Sequence, residues 1–173
     1  MAQRGDWAAT LAAGLLVGAT ATAAMDGYWA VLARLRPPPT SREEPATQRI
    51  AEDLMRRVGL RPSRRARRLG GQIVHWGYGI AWAVVAALAR RAEVRLDAAF
   101  GQPLGAALEV GGDMYGLYFF GYAGPPRVYP AGVIARDFGA HAVYGLALWA
   151  SLETVHDLSR SNLAERLHLP RAA

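Results

Sequence analysis

The amino-acid sequence predicts an all-α fold: a four-transmembrane-helix bundle from two parallel two-helix repeats, with a short interfacial amphipathic helix in the first loop. Three observations predict it. Long stretches carry no charge, most basic residues crowd into one connection, and the two halves repeat small and polar residues at fixed offsets. The chain has 173 residues, one domain's worth, and is 52% hydrophobic, so it can bury a core and is not disordered. Its 20 basic residues are all arginine, against 14 acids, and cysteine is absent. That absence excludes disulfides, thiolate metal sites and a cysteine nucleophile. Mean hydropathy is only +0.06 because arginine lowers the average, and 11 of the 20 arginines crowd between Arg34 and Arg68.

A helix needs about 20 mainly apolar residues to cross a bilayer. Trp7–Met25 gives 19 residues without a charge, and the apolar run continues past Asp26 to Leu35. This is longer than a signal-peptide core and its amino-terminal flank has little positive charge, so it reads as a retained span, 7–35. Leu69–Ala89 gives 21 uncharged residues and a second span, 71–90. A soluble helix would show a polar face every 3.6 residues, and this window offers almost none. Between Ala98 and Pro126 no arginine occurs, although Glu109 and Asp113 do, and this gives the third span, 98–122. Phe138–Leu152 is a 15-residue uncharged window in a fourth span, 131–156.

The 36–70 connection opens on Pro37-Pro38-Pro39, which stops a helix because proline lacks the N–H. Pro45, the preceding Glu43 and Glu44, and Ile50, Leu54 and Val58 at every fourth residue predict an amphipathic surface helix over 45–58. Arg61, Arg64, Arg65, Arg67 and Arg68 follow as a basic cluster suited to anionic lipid headgroups. No aromatics are interleaved to stack bases, so nucleic acid is not an expected partner. The positive-inside rule places this loop in the cytoplasm and both termini outside.

The halves are related. Gly14, Gly18, Thr22 and Asp26 are spaced by four, as are Gly101, Gly105, Glu109 and Asp113, at an offset of 87. Pro38-Pro39 and Pro125-Pro126 keep that offset. His75-x-x-Tyr78-Gly79 matches His141-x-x-Tyr144-Gly145 at an offset of 66, the difference being an insertion within 36–70. The chain therefore reads as a single membrane domain, with repeat one at 1–92 and repeat two at 93–173. Each repeat holds two spans, so the pseudo-two-fold axis runs along the membrane normal. Gly14, Gly18, Gly101 and Gly105 are expected to pack helices closely, with Asp26 and Asp113 buried beside them.

The segments ATAAMDGYW, LRPPPTSREEPATQRIAEDLMRRVGL, HWGYG, GYAGPP and DFGAHAVYGLALWASLE together resemble the YagU-like family of uncharacterised bacterial inner-membrane proteins. The resemblance spans nearly the whole chain. It implies a multi-pass protein of the bacterial inner membrane and supplies no reaction, cofactor or catalytic residue. Glu109 and Asp113 depart from the family pattern.

Asp26, His75, Tyr78, Glu109, Asp113, His141 and Tyr144 are the residues that could carry chemistry, as a ligand or proton pathway. Each aspartate lies 12 residues before its proline pair, about 18 Å of helix. An ionised carboxylate in hydrocarbon costs at least ~2.5–3.5 kcal/mol, so such groups persist when paired, neutralised or solvated. Helix-pinning hydrogen bonds are the bland role. Haem or chlorophyll-type ligation by His75 or His141 is the cofactor alternative, with Gly77, Gly79, Gly139 and Gly145 leaving room for a flat macrocycle. No cofactor is otherwise expected. A metal held by two histidines and two aspartates is not expected, because HxxY is not a ligand spacing. Arg136 needs a partner, for which Glu109 or Asp113 would serve. No GxSxG, P-loop, GxGxxG or HExxH motif occurs, so no catalytic residue is assigned and an enzyme is not the expectation. The expected role is an accessory, structural or transport-related membrane component with a buried Asp/His layer. The alternative is a cofactor-binding or proton-conducting subunit. Expected partners are the bilayer, other membrane subunits or a second copy of the chain.

Overall fold

The computed structural model describes residues 7–35 and 44–166, with side chains to 158. Pro37-Pro38-Pro39, Glu43 and the arginines at 4, 36, 42 and 171 lie outside the described residues. The fold is all-helical, with no strand among the described residues. Five helices form it: α1 (Trp7–Leu35), α2 (Ala46–Arg57), α3 (Arg64–Arg91), α4 (99–119) and α5 (Ala131–Arg166). By length and composition, α1 and α3 are apolar enough to cross a membrane.

α3 begins earlier than the charge pattern predicts. The Ser63 hydroxyl accepts from the Ala66 N–H at 3.2 Å and caps the helix, so Arg64–Arg68 form its first turns instead of a loop. Arginine is a good helix former, and charge alone does not end a helix. α5 likewise runs beyond 156, because nothing between Ala131 and Arg166 breaks it. α2 forms where expected, with Glu52–Arg56 and Asp53–Arg57 pairs one turn apart.

α4 is the irregular element. It opens with a 3₁₀ turn (Ala99–Gly101), runs as α-helix over Gln102–Ala107, widens to π-helix over Leu108–Gly116 and closes with a short α turn. A π segment inserts extra backbone per turn and so rotates the side chains that follow it. Gly101, Gly105, Glu109 and Asp113 nevertheless all face α5, as the four-residue spacing predicts.

α1 packs antiparallel on α3 and on α5, α4 packs on α5, and α2 lies along the start of α3 outside the four long helices. The four stripe glycines are buried at these contacts. A Cβ on Gly14 would meet the Val84 Cα at 2.8 Å, and one on Gly18 the Ile80 Cα at 2.6 Å. Gly101 and Gly105 meet the backbones of Gly145 and His141 in the same way. The two contacts differ in register, however. The offset of 66 carries Val84 and Ile80 to Ala150 and Leu146, five residues beyond the partners observed. The tight turn into α4 sets that difference.

Alanines and a few large side chains share the interior, while many large apolar residues face outward. Ala21, Ala83, Ala86, Ala87 and Ala140 are buried together with Val17, Leu104, Leu108, Tyr144, Leu148 and Leu152. Leu11, Leu15, Leu16, Leu69, Ile73, Val85, Val110, Phe119, Phe138 and Leu146 point outward from all four long helices. At the end holding the 92–98 turn, Asp97 is almost wholly buried. It accepts from Arg90 at 2.8 Å and Arg95 at 3.1 Å, and both arginines also bind Glu153 of α5.

Candidate functional site

α3 and α4 approach each other only sparsely, the Tyr78 side chain of α3 standing against Gly112 of α4. A crevice of about 450 Å³ separates them, floored by Thr22 and Met25 of α1 and by His141 and Tyr144 of α5. Pro45, Ala46, Thr47 and Ile50 line it at the end of the bundle where α2 lies. α2 is fastened there from both flanks. Arg67 binds Glu44 at 3.0 Å, and the Tyr122 hydroxyl donates to Asp53 at 2.6 Å. The Tyr122 hydrogen bond, with Arg57 beside it, holds the Asp53 carboxyl below its ordinary range against the effect of burial. This clasp is therefore formed at neutral pH and is lost as pH falls through that lowered value.

Five of the seven candidate residues line the crevice: His75, Tyr78, Asp113, His141 and Tyr144. Asp26 stands behind His75, taking its Nε2 at 3.0 Å on one oxygen and the Trp76 indole N–H at 3.1 Å on the other. Glu109 lies beneath His141, with Oε2 2.8 Å from Nδ1. The Tyr144 hydroxyl donates to the Gly79 carbonyl at 2.5 Å and ties α5 to α3 under the crevice.

Three expectations need correction. Asp26 and Asp113 are not buried against a helix: their side chains are 41% and 47% exposed. Asp26 reaches sideways to donors on the flank of α3, and Asp113 stands on the crevice wall within the π segment. Glu109 is the buried acid, at 1%. Arg136 makes no ion pair with Glu109 or Asp113 among the described residues. Arg67 is half-buried in its pairs with Glu44 and Glu52, whereas Arg61, Arg64, Arg65 and Arg68 stay exposed. Three glycines proposed to admit a macrocycle are filled by neighbours: Gly79 by Thr22, Gly139 by Tyr28 and Gly145 by Gly101.

Buried polar groups without partners cluster at this site. Among the described residues, Thr22 Oγ1, Glu109 Oε2 and Arg49 Nε are buried without a hydrogen bond; Thr22 lines the crevice, and Glu109 lies behind its wall against His141. The Nδ1 of His141 lies between two acceptors, 3.0 Å from the Asp137 carbonyl and 2.8 Å from Glu109 Oε2, which it meets as an ion pair when the ring is protonated. Such orphans in a native fold point to water, an ion or a ligand. The Asp97–Arg90–Arg95–Glu153 cluster was missed from sequence. Its only local signal was an acid two residues from Arg95, and Glu153 lies 58 residues from that arginine.

No protein-family model, curated protein or solved structure matches the chain. The YagU-like resemblance rests on the short motifs alone.

Proposed function

We propose that the chain is a four-span protein of the bacterial inner membrane, a transport-related component that binds a small polar solute or ion in the crevice between α3 and α4. The observation that carries this reading is the convergence of His75, Tyr78, Asp113, His141 and Tyr144 on one cavity open toward the α2 end. This distribution of apolar residues supports the spanning of all four long helices. Large apolar side chains on the outside suit lipid, and alanine and glycine inside suit close helix packing. The arginine-rich segment beside α2 puts the mouth on the cytoplasmic side.

Glu109, His141 and Asp113 in series also resemble a proton relay. Beyond Glu109, however, Val17, Ala83, Ala86, Leu104, Leu148 and Leu152 fill the space toward the Asp97 cluster. No described titratable side chain bridges that layer, which favours a binding pocket entered from one side over a through-pathway.

The chain has no cysteine, so an introduced one is unique. Gly111 lines the crevice and has open space where a Cβ would stand, whereas the neighbouring Val110 faces outward. Gly111→Cys in membranes is expected to react with a charged methanethiosulfonate reagent, because a thiolate needs water. Val110→Cys in lipid is expected to stay unreacted. Equal reactivity of the two, or no reaction at Gly111→Cys, removes the crevice as a water-accessible site.

A further inference from the structure

Around the His141 imidazole stand three carboxyl groups and no paired arginine. Glu109 Oε2 lies 2.8 Å from Nδ1, and Asp113 Oδ2 lies 3.8 Å from Nε2. Asp137 presents its backbone carbonyl to Nδ1 at 3.0 Å, and its own carboxyl sits one turn before His141 on α5. One ligand atom each from Glu109, Asp113 and His141 fall within 4.8 Å of one another. Nδ1 faces two acceptors, so it carries the hydrogen, and the Nε2 lone pair is left directed toward Asp113. That is how metal-ligating histidines are set: the far nitrogen is held by a carbonyl or carboxylate, and the near one is free. In tetrahedral coordination at ~2.1 Å, two ligand atoms stand about 3.4 Å apart. A small rotation of Asp113, which is free to move on the crevice wall, brings 3.8 Å to that value.

Glu109 is the independent sign of a missing partner. Its side chain is 2% exposed and its Oε2 has no hydrogen bond, yet it is aimed at the imidazole. A buried carboxylate in that state requires positive charge nearby. His75 is already matched by Asp26, and no described arginine reaches Glu109. That leaves the imidazole 2.8 Å away as the source, either doubly protonated or carrying a divalent cation on Nε2 toward Asp113, and the crevice leaves such a cation's remaining coordination positions open.

We infer that Asp113 and His141, backed by Glu109, form a binding site for a divalent transition-metal ion of the zinc type, entered through the crevice. Imidazole with carboxylate suits such ions, and thiolates are not needed. This names the occupant of the pocket proposed above and rests on that pocket being accessible. It also departs from the sequence expectation of two histidines and two aspartates: Asp113 and His141 stay, Glu109 joins them, and Asp26 stays with His75.

Cobalt(II) serves as the probe, because its visible d–d absorption reports coordination in place of zinc. Titration uses purified full-length protein in detergent, without a histidine tag. It is done in a His156→Ala background, since exposed Glu153, His156 and Asp157 form a second group of ligand type. A saturable absorption that Zn²⁺ displaces is expected. It should be lost in His141→Ala and weakened about 10–100-fold in Glu109→Gln, as for an outer partner of a metal ligand. Asp113→Asn should weaken it at least as much, and its half-exposed position leaves the helix packing untouched. Absence of absorption, or absorption unchanged in Asp113→Asn, overturns the metal site. If Gly111→Cys is labelled in the same preparation, the pocket survives that loss. If it is not labelled, both fall together.

Discussion

Replacing Gly101 by alanine is expected to detach the start of α4 from α5. Gly101 has a φ of +74°, and the carbonyl of Gly145 occupies the place where a Cβ would be built. Two penalties combine. A left-handed backbone costs an alanine roughly 1–2 kcal/mol, and forcing a methyl into a close-packed contact costs about 1–3 kcal/mol. Neither atom can retreat, because both are backbone: a Cβ on Gly145 would in turn meet the Gly101 carbonyl. The sum, roughly 2–5 kcal/mol, is large against the usual stability of a domain. It should appear as a lowered thermal or denaturant midpoint in detergent. Gly111→Ala is the control, since nothing stands within 4 Å of its Cβ position. Equal midpoints for the two variants would contradict the packing.

Asp97→Ala is expected to be nearly as damaging. Asp97 is 1% exposed and takes both Arg90, whose side chain is 14% exposed, and Arg95. Removing one partner of a buried pair costs about 3–5 kcal/mol, because the other charge is left uncompensated. Arg90 keeps Glu153, so the loss belongs at the lower end, about 3 kcal/mol. Arg95 is half-exposed, and Arg95→Ala should cost far less, as solvent-screened surface pairs do. The two variants compared by denaturant midpoint test this ordering. If Arg95→Ala is as harmful as Asp97→Ala, the cluster acts through the 92–98 turn as a whole and not through a buried charge.

Much of the architecture could be read from the residues, and the misses have physical causes. α1 and the body of α3 were visible because uncharged windows are long and unbroken. The start of α3 was not, since five arginines resemble a loop and only the Ser63 cap shows that they are helical. A histidine–acid pairing was legible at both His75 and His141. The spacing by four puts both Glu109 and Asp113 at His141, but the depth of each was not legible: within the π segment Glu109 ends buried and Asp113 stands on the crevice wall. No simple period encodes that difference. The crevice itself was illegible too, because a gap between α3 and α4 depends on how α2 and the 120–130 segment hold them apart.

The four-span topology is tested most directly by single cysteines at Arg61, Glu93 and Arg127, labelled with an impermeant reagent in right-side-out and inverted membrane vesicles. Those positions lie in the connections between α2 and α3, α3 and α4, and α4 and α5. Four spans predict that Arg61→Cys and Arg127→Cys react together from the cytoplasmic face, and that Glu93→Cys reacts from the opposite face. Labelling of Glu93→Cys and Arg127→Cys from the same face would mean that α4 does not cross the membrane, and would contradict the four-span bundle.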